Sequence, residues 1–138
     1  MFGTELVHIN GEPADRSGSL GAPIAVASIG EDTAQELVVA SRGTRRHALH
    51  ILPVESGAGG SVSLRPEGHH DKLFDDLVHV HTKGDLILAS EQRTNRVQIF
   101  KDREFHYAIE PVVPKGAELR CARLTADGRF VCAFGGGS

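Results

Sequence analysis

Short apolar runs, bounded by turn residues, recur along the chain. One version reads Leu37-Val38-Val39-Ala40-Ser41, then Leu86-Ile87-Leu88-Ala89-Ser90, then Phe130-Val131-Cys132-Ala133-Phe134. A second reads Leu6-Val7-His8-Ile9, then Ala48-Leu49-His50-Ile51, then Arg96-Val97-Gln98-Ile99. Runs this short and this rich in branched residues predict strands rather than helices. The predicted strands cover residues 5–10, 23–27, 36–41, 47–54, 61–64, 77–80, 86–90, 96–101, 119–124 and 129–134. Gly-containing turns at 82–85 and 125–128 join neighbouring strands as hairpins. Residues 69–76 are read as one helical turn with Leu73 and Phe74 facing inward.

Both patterns repeat at a spacing of about 40–50 residues, the length of one blade of a β-propeller. The fold expected is therefore all-β: an incomplete β-propeller of antiparallel four-stranded blades. The blade-like units fall at about 1–54, 55–102 and 103–138. A blade cannot cover both of its faces alone, and a ring removes its open edges by closing. A segment of this length is thus expected to be part of a larger ring or to self-associate through its open faces. In the third unit, Val131 and Cys132 should be buried, taking the places of Leu88 and Ala89.

Composition narrows the function. The formal charge is −3 with 24% charged residues. That balance disfavours a nucleic-acid binder, which is usually basic. No apolar run approaches the ~20 residues needed to cross a bilayer, so no membrane partner is expected. The N-terminus shows no basic stretch followed by an apolar one. A two-residue Asp127-Gly128 loop would oppose Cys121 to Phe134 and Arg123 to Cys132. The two thiols would then sit diagonally on one face, roughly 7–8 Å apart, too far for a good disulfide. Reduced cysteines and the missing leader together favour a cytoplasmic location.

Residues 84–100 resemble an NHL repeat, a blade type named for its Asn-His-Leu signature. The residues that carry the likeness are Gly84, Leu86-Ile87-Leu88-Ala89-Ser90 and Thr94-Asn95-Arg96-Val97-Gln98-Ile99-Phe100. Ser41 and Ser90 stand where such repeats usually place an acidic residue. The resemblance implies a propeller of about six blades and an interaction scaffold that binds protein, or another macromolecule, through its loops. The alternative it implies is part of a six-bladed enzyme, a metal-dependent lactone hydrolase or an amidating lyase.

Candidate chemistry follows. Arg42, Arg45, Arg46, Arg93, Asn95 and Arg96 fall in corresponding loops of two successive units. Such loops should share one rim, where arginine forks suit carboxylate or phosphate. The alternative is that these are ordinary solvated loop charges, with Glu91 and Asp85 as their partners. A protein is the expected partner; RNA is second, given the acidic balance. His79 and His81 alternate along one strand and share a face, which makes them weak candidates for a metal. No metal motif supports them, and no metal or cofactor is assigned. His50 and Gln98 occupy equivalent positions, which predicts a structural slot that accepts either amide or imidazole. No nucleophile elbow and no phosphate-binding glycine loop is present, so no catalytic residue is named.

Overall fold

The computed structural model describes residues 22–30, 35–42, 47–53, 62–66 and 74–136. The described chain contains ten strands: β1 (Ala22–Ile29), β2 (Glu36–Arg42), β3 (His47–Pro53), β4 (Val62–Leu64), β5 (Leu77–Lys83), β6 (Leu86–Glu91), β7 (Arg96–Lys101), β8 (Glu104–Ile109), β9 (Ala117–Leu124) and β10 (Phe130–Gly136). They form three antiparallel meanders. Sheet 1 runs β1-β2-β3-β4, sheet 2 runs β5-β6-β7-β8, and sheet 3 pairs β9 with β10. The protein is all-β, as the short branched runs require, and none of the sheets closes on itself.

The sheets stack in series. Val38, Ala40, Leu49 and Ile51 of sheet 1 pack against Val80, Ile87, Ala89 and Phe100 of sheet 2, with Phe74 and Leu77. On its other face sheet 2 presents Leu88, Val97 and Ile99 to Leu119 and Ala122 of sheet 3, with Phe130 and Cys132 packed against them. Strand β6 is therefore covered on both sides, which explains why Leu86-Ile87-Leu88-Ala89 reads as an unbroken apolar run.

One irregularity recurs in all three sheets. The first strand of each carries a single unpaired residue. It is Ile24 in β1, between the pairs Pro23–Ser41 and Ala25–Ala40. It is Val78 in β5, between Leu77–Glu91 and His79–Ser90. It is Arg120 in β9, between Leu119–Phe134 and Cys121–Ala133. A β-bulge is a defined kink rather than a defect, so three at one position mark a tandem repeat and fix its register. Val38, Leu88 and Val131 become equivalent, as do Val39, Ala89 and Cys132.

That register corrects the alignment of the apolar runs by one residue. When both faces of a strand are buried, hydrophobicity carries no phase information. Aligning Ala40 with Ala89 matches the letters and inverts the faces. The ladder confirms the other match: His50 pairs with Val39 and Gln98 with Ala89.

Sheet 3 departs from expectation in two ways. Its hairpin pairs Leu124 with Phe130 and Ala122 with Cys132, one residue off the expected register. The loop has three residues, closed by Gly128 N–H to Thr125 O at 3.0 Å, with Gly128 at φ 85°. A turn ending in a left-handed glycine adds that extra residue. Cys121 and Cys132 consequently lie on opposite faces, and both thiols are free. Val131 is 54% exposed rather than buried, because it occupies Leu88's place on a face that no described residue covers. Cys132 is half-buried against the second core cluster.

The sheets are also bounded differently from the units 1–54, 55–102 and 103–138. Strand β4 closes sheet 1 at Leu64, and β8 closes sheet 2 at Ile109. Strand β8 went unforeseen. The strand predicted at 5–10 lies outside the described residues, as do 69–73 of the expected helical turn. Phe74, its last apolar residue, is buried and makes an isolated bridge rather than a helix.

Replacing Leu88, fully buried between sheets 2 and 3, with alanine should cost about 2–5 kcal/mol. The same truncation at the equivalent Val131 should cost less than about 1 kcal/mol, since half of that side chain is already solvated. Urea denaturation of both variants checks the register directly.

Candidate functional site

Corresponding loops of sheets 1 and 2 gather at one end of the stack. Arg42 closes β2 there, and segment 74–76 and the β6–β7 loop lie beside it. Arg42 Nη2 donates to Asp76 Oδ1 at 2.9 Å and to the Leu77 carbonyl at 3.2 Å, tying sheet 1 to sheet 2. Arg93 Nε approaches Asp75 Oδ1 at 3.5 Å and its side chain is 78% exposed. Arg96 Nε donates to Glu91 Oε1 at 2.9 Å.

Glu91 is the centre of this end and is fully buried. Its Oε1 also accepts from Gln98 Nε2 at 2.9 Å, and its Oε2 accepts the Asp75 backbone N–H at 2.6 Å. Burial pushes its carboxyl above the ordinary range, against the pull of the Gln98 and Asp75 N–H donors; the Asp75 carboxylate pushes it further up. A carboxylate is retained in such a place only when its lone pairs are satisfied, and here three donors satisfy them. In sheet 1 the same slot holds Ser41 and His50, which share a hydrogen bond of 3.2 Å, while His50 Nδ1 bonds Ser63 Oγ at 3.1 Å. The slot that accepts His50 or Gln98 is therefore a hydrogen-bonded one in both sheets.

The structure thus brings Arg42, Arg93 and Arg96 together around Asp75, Asp76 and Glu91. Glu91 is a partner as expected, whereas Asp85 lies at the opposite end. Asn95 shares the loop but turns away from the arginines. It adopts φ 51°, and its Oδ1 accepts the Leu119 N–H at 2.9 Å, pinning sheet 3 to sheet 2. Arg45 and Arg46 lie outside the described residues.

His79 and His81 do share a face, the one turned toward sheet 3. Burial lowers the pKa of each from the usual 6.5. For His79 the next causes are the charges of His81 and Arg123; for His81, Arg123 and Lys83 also lower it, and a hydrogen bond to the Leu124 backbone opposes them. Among the described residues no group of three or more His, Cys, Asp or Glu converges on one point.

The opposite end holds a feature that sequence reasoning missed. A cleft of about 720 Å³ opens between sheets 1 and 2, lined by Ser28, Glu36, Lys83, Asp85, Asp102 and Arg103 among others. Arg103 Nη2 donates to both Glu36 oxygens at 2.6 Å across the cleft, and Thr82 Oγ1 donates to the Ser28 carbonyl. Asp102 and Arg103 both adopt positive φ, 51° and 67°, in the two-residue turn between β7 and β8. The readable signal was alternation at Phe105, Tyr107 and Ile109 beyond the two residues Asp102 and Arg103, which marks a hairpin.

Comparison with known protein families, curated proteins and solved structures finds no match for this chain.

Replacing Glu91 with alanine would remove the acceptor that the Arg96 guanidinium, the Gln98 amide and the Asp75 N–H share. The cost should be about 3–5 kcal/mol, as for other broken buried pairs, read as a lower urea midpoint. The two histidines give a pH prediction. Their pKa values are lowered on folding, so below about pH 6.5 the unfolded chain binds more protons. Stability should fall as pH drops from about 6.5 toward the lowered values and level off beneath them. A chain carrying His79→Ala and His81→Ala should lose that part of the slope in chelator-treated buffer.

Proposed function

We propose that this chain is a propeller-type repeat segment of the NHL kind that serves as an interaction scaffold, binding a protein through the loops at its Arg42–Arg93 end. The observation that carries this reading is the repeat itself. Successive meanders stack face to face with the same bulge, and their first strands lie side by side, β5 against β1 on one side and β9 on the other. That is how blades are arranged around an axis, and such stacks put corresponding loops on one surface.

The chemistry of that surface favours a protein over a nucleic acid. Arg96 is held by the buried Glu91, and Arg42 by Asp76. Of the three described arginines at this end, Arg93 is the most exposed. Carboxylates alternate with the arginines, so the surface is mixed in sign and complements a mixed peptide segment better than a continuous run of phosphates.

The test is binding of the full chain to acidic, basic and mixed-charge peptides and to single-stranded RNA across a salt series. Mixed-charge or acidic peptides should bind, and Arg93→Glu should weaken them by about 1–3 kcal/mol where the contact is desolvated. Salt should mimic the substitution, because exposed charges are screened within about 8 Å at physiological ionic strength. RNA binding tighter than any peptide would overturn the protein reading. Peptide binding indifferent to both salt and Arg93→Glu would remove this end from the interface.

A further inference from the structure

The three-fold repeat permits a comparison that a single sheet does not. Three positions facing the next sheet are equivalent between sheets 1 and 2. In sheet 1 they are Ala25, Ala27 and Ala40: Ala40 is buried in the core against sheet 2, and Ala25 and Ala27 pack against that cluster. In sheet 2 they are His79, His81 and Ser90, facing sheet 3. Packing at this place is satisfied by small apolar groups, as the first junction shows. The second junction has replaced all three with nitrogen- and oxygen-bearing side chains.

Each of those side chains has a buried polar atom without a protein partner. His79 Nδ1, His81 Nε2 and Ser90 Oγ are buried and make no hydrogen bond. They are adjacent: His79 stands directly opposite Ser90 in the ladder, and His81 lies two residues along on the same face. Buried polar atoms without partners are uncommon and cost stability. Three together, where the repeat elsewhere uses alanine, point to a ligand.

We propose that His79 and His81 chelate a divalent transition-metal ion at the junction of sheets 2 and 3, with the Ser90 hydroxyl beside it. Two imidazoles at alternate positions of one strand suit zinc, copper or nickel, which take nitrogen ligands readily. Calcium and magnesium, which require oxygen donors, are disfavoured. Two side chains leave the other coordination positions to water or to an added ligand. Arg123 and Lys83 lie near enough to repel a bare cation, so an anionic co-ligand that offsets them should tighten binding. The sum of these features describes a bidentate site of moderate affinity, not a closed structural one.

The experiment uses the full chain, stripped with chelator and titrated with Cu²⁺, Ni²⁺ and Zn²⁺. One ion per chain is expected, with nitrogen hyperfine structure in the Cu²⁺ electron paramagnetic resonance spectrum. Each single alanine substitution at His79 or His81 should weaken uptake by more than the ~10–100-fold that losing an outer-sphere partner costs. Acid should weaken uptake, because the metal takes the neutral imidazole. The doubly substituted chain restores the alanines that sheet 1 carries, so it should fold, which circular dichroism and urea denaturation confirm. The exposed His106 of β8 is the control, and His106→Ala should leave this ion in place. Metal should raise the melting temperature of the parent chain and not of the double variant. Absence of stoichiometric uptake by the parent chain, or uptake unchanged in the double variant, overturns the proposal.

Discussion

Everything in this molecule depends on sheet 2 being buried on both faces. Ile87 and Ala89 point one way and Leu88 the other, and all three are buried. A sheet covered twice must carry apolar residues at consecutive positions, so it needs another constraint to hold its register. The bulge at Val78 supplies it. By skipping one residue it lets Leu77 and Val80, three positions apart, both face sheet 1. The same device lets Leu119 and Ala122 both face sheet 2.

The two junctions are secured by unlike means. Sheets 1 and 2 are tied at both ends, by Arg42 to Asp76 and Leu77 at one and by Arg103 to Glu36 at the other. Ion pairs this exposed contribute little individually, but at opposite ends they fix the relative angle of two sheets whose contact is otherwise non-directional. Sheet 3 is attached by its apolar face, by the Asn95–Leu119 bond and by Gln92 donating to Glu118. Among the described residues, buried polar atoms without partners sit in that second junction and not in the first.

Much of this architecture was legible in the chain. Branched runs between Gly turns gave strands, and their period gave the repeat. The likeness of His50 to Gln98 was legible too, because each bears a polar group amid apolar neighbours. The phase was not legible at Val131, since burial on both faces erases alternation. Strand β8 was missed because its turn, Asp102-Arg103, lacks the glycine that usually announces left-handed backbone. The arginines were found by position, and their partners only in part. Glu91 reads as a loop residue, and no local pattern tells that a carboxylate is buried until the Gln98 amide is set opposite it.

The uneven fastening of the two junctions has a kinetic consequence. Opening free energies within a protein vary by cooperative unit. Sheets 1 and 2 share one large core and interlocking polar ties, so their amides should exchange with solvent only through global unfolding. The β9–β10 hairpin is a local structure of two strands, which is marginal in isolation. It can swing away after losing one face of contact and two side-chain clamps, Asn95 to Leu119 and Gln92 to Glu118. Such a leaf would give the imidazoles at its base a solvent path on a timescale far shorter than that of unfolding, so the hidden groups of the second junction stay reachable.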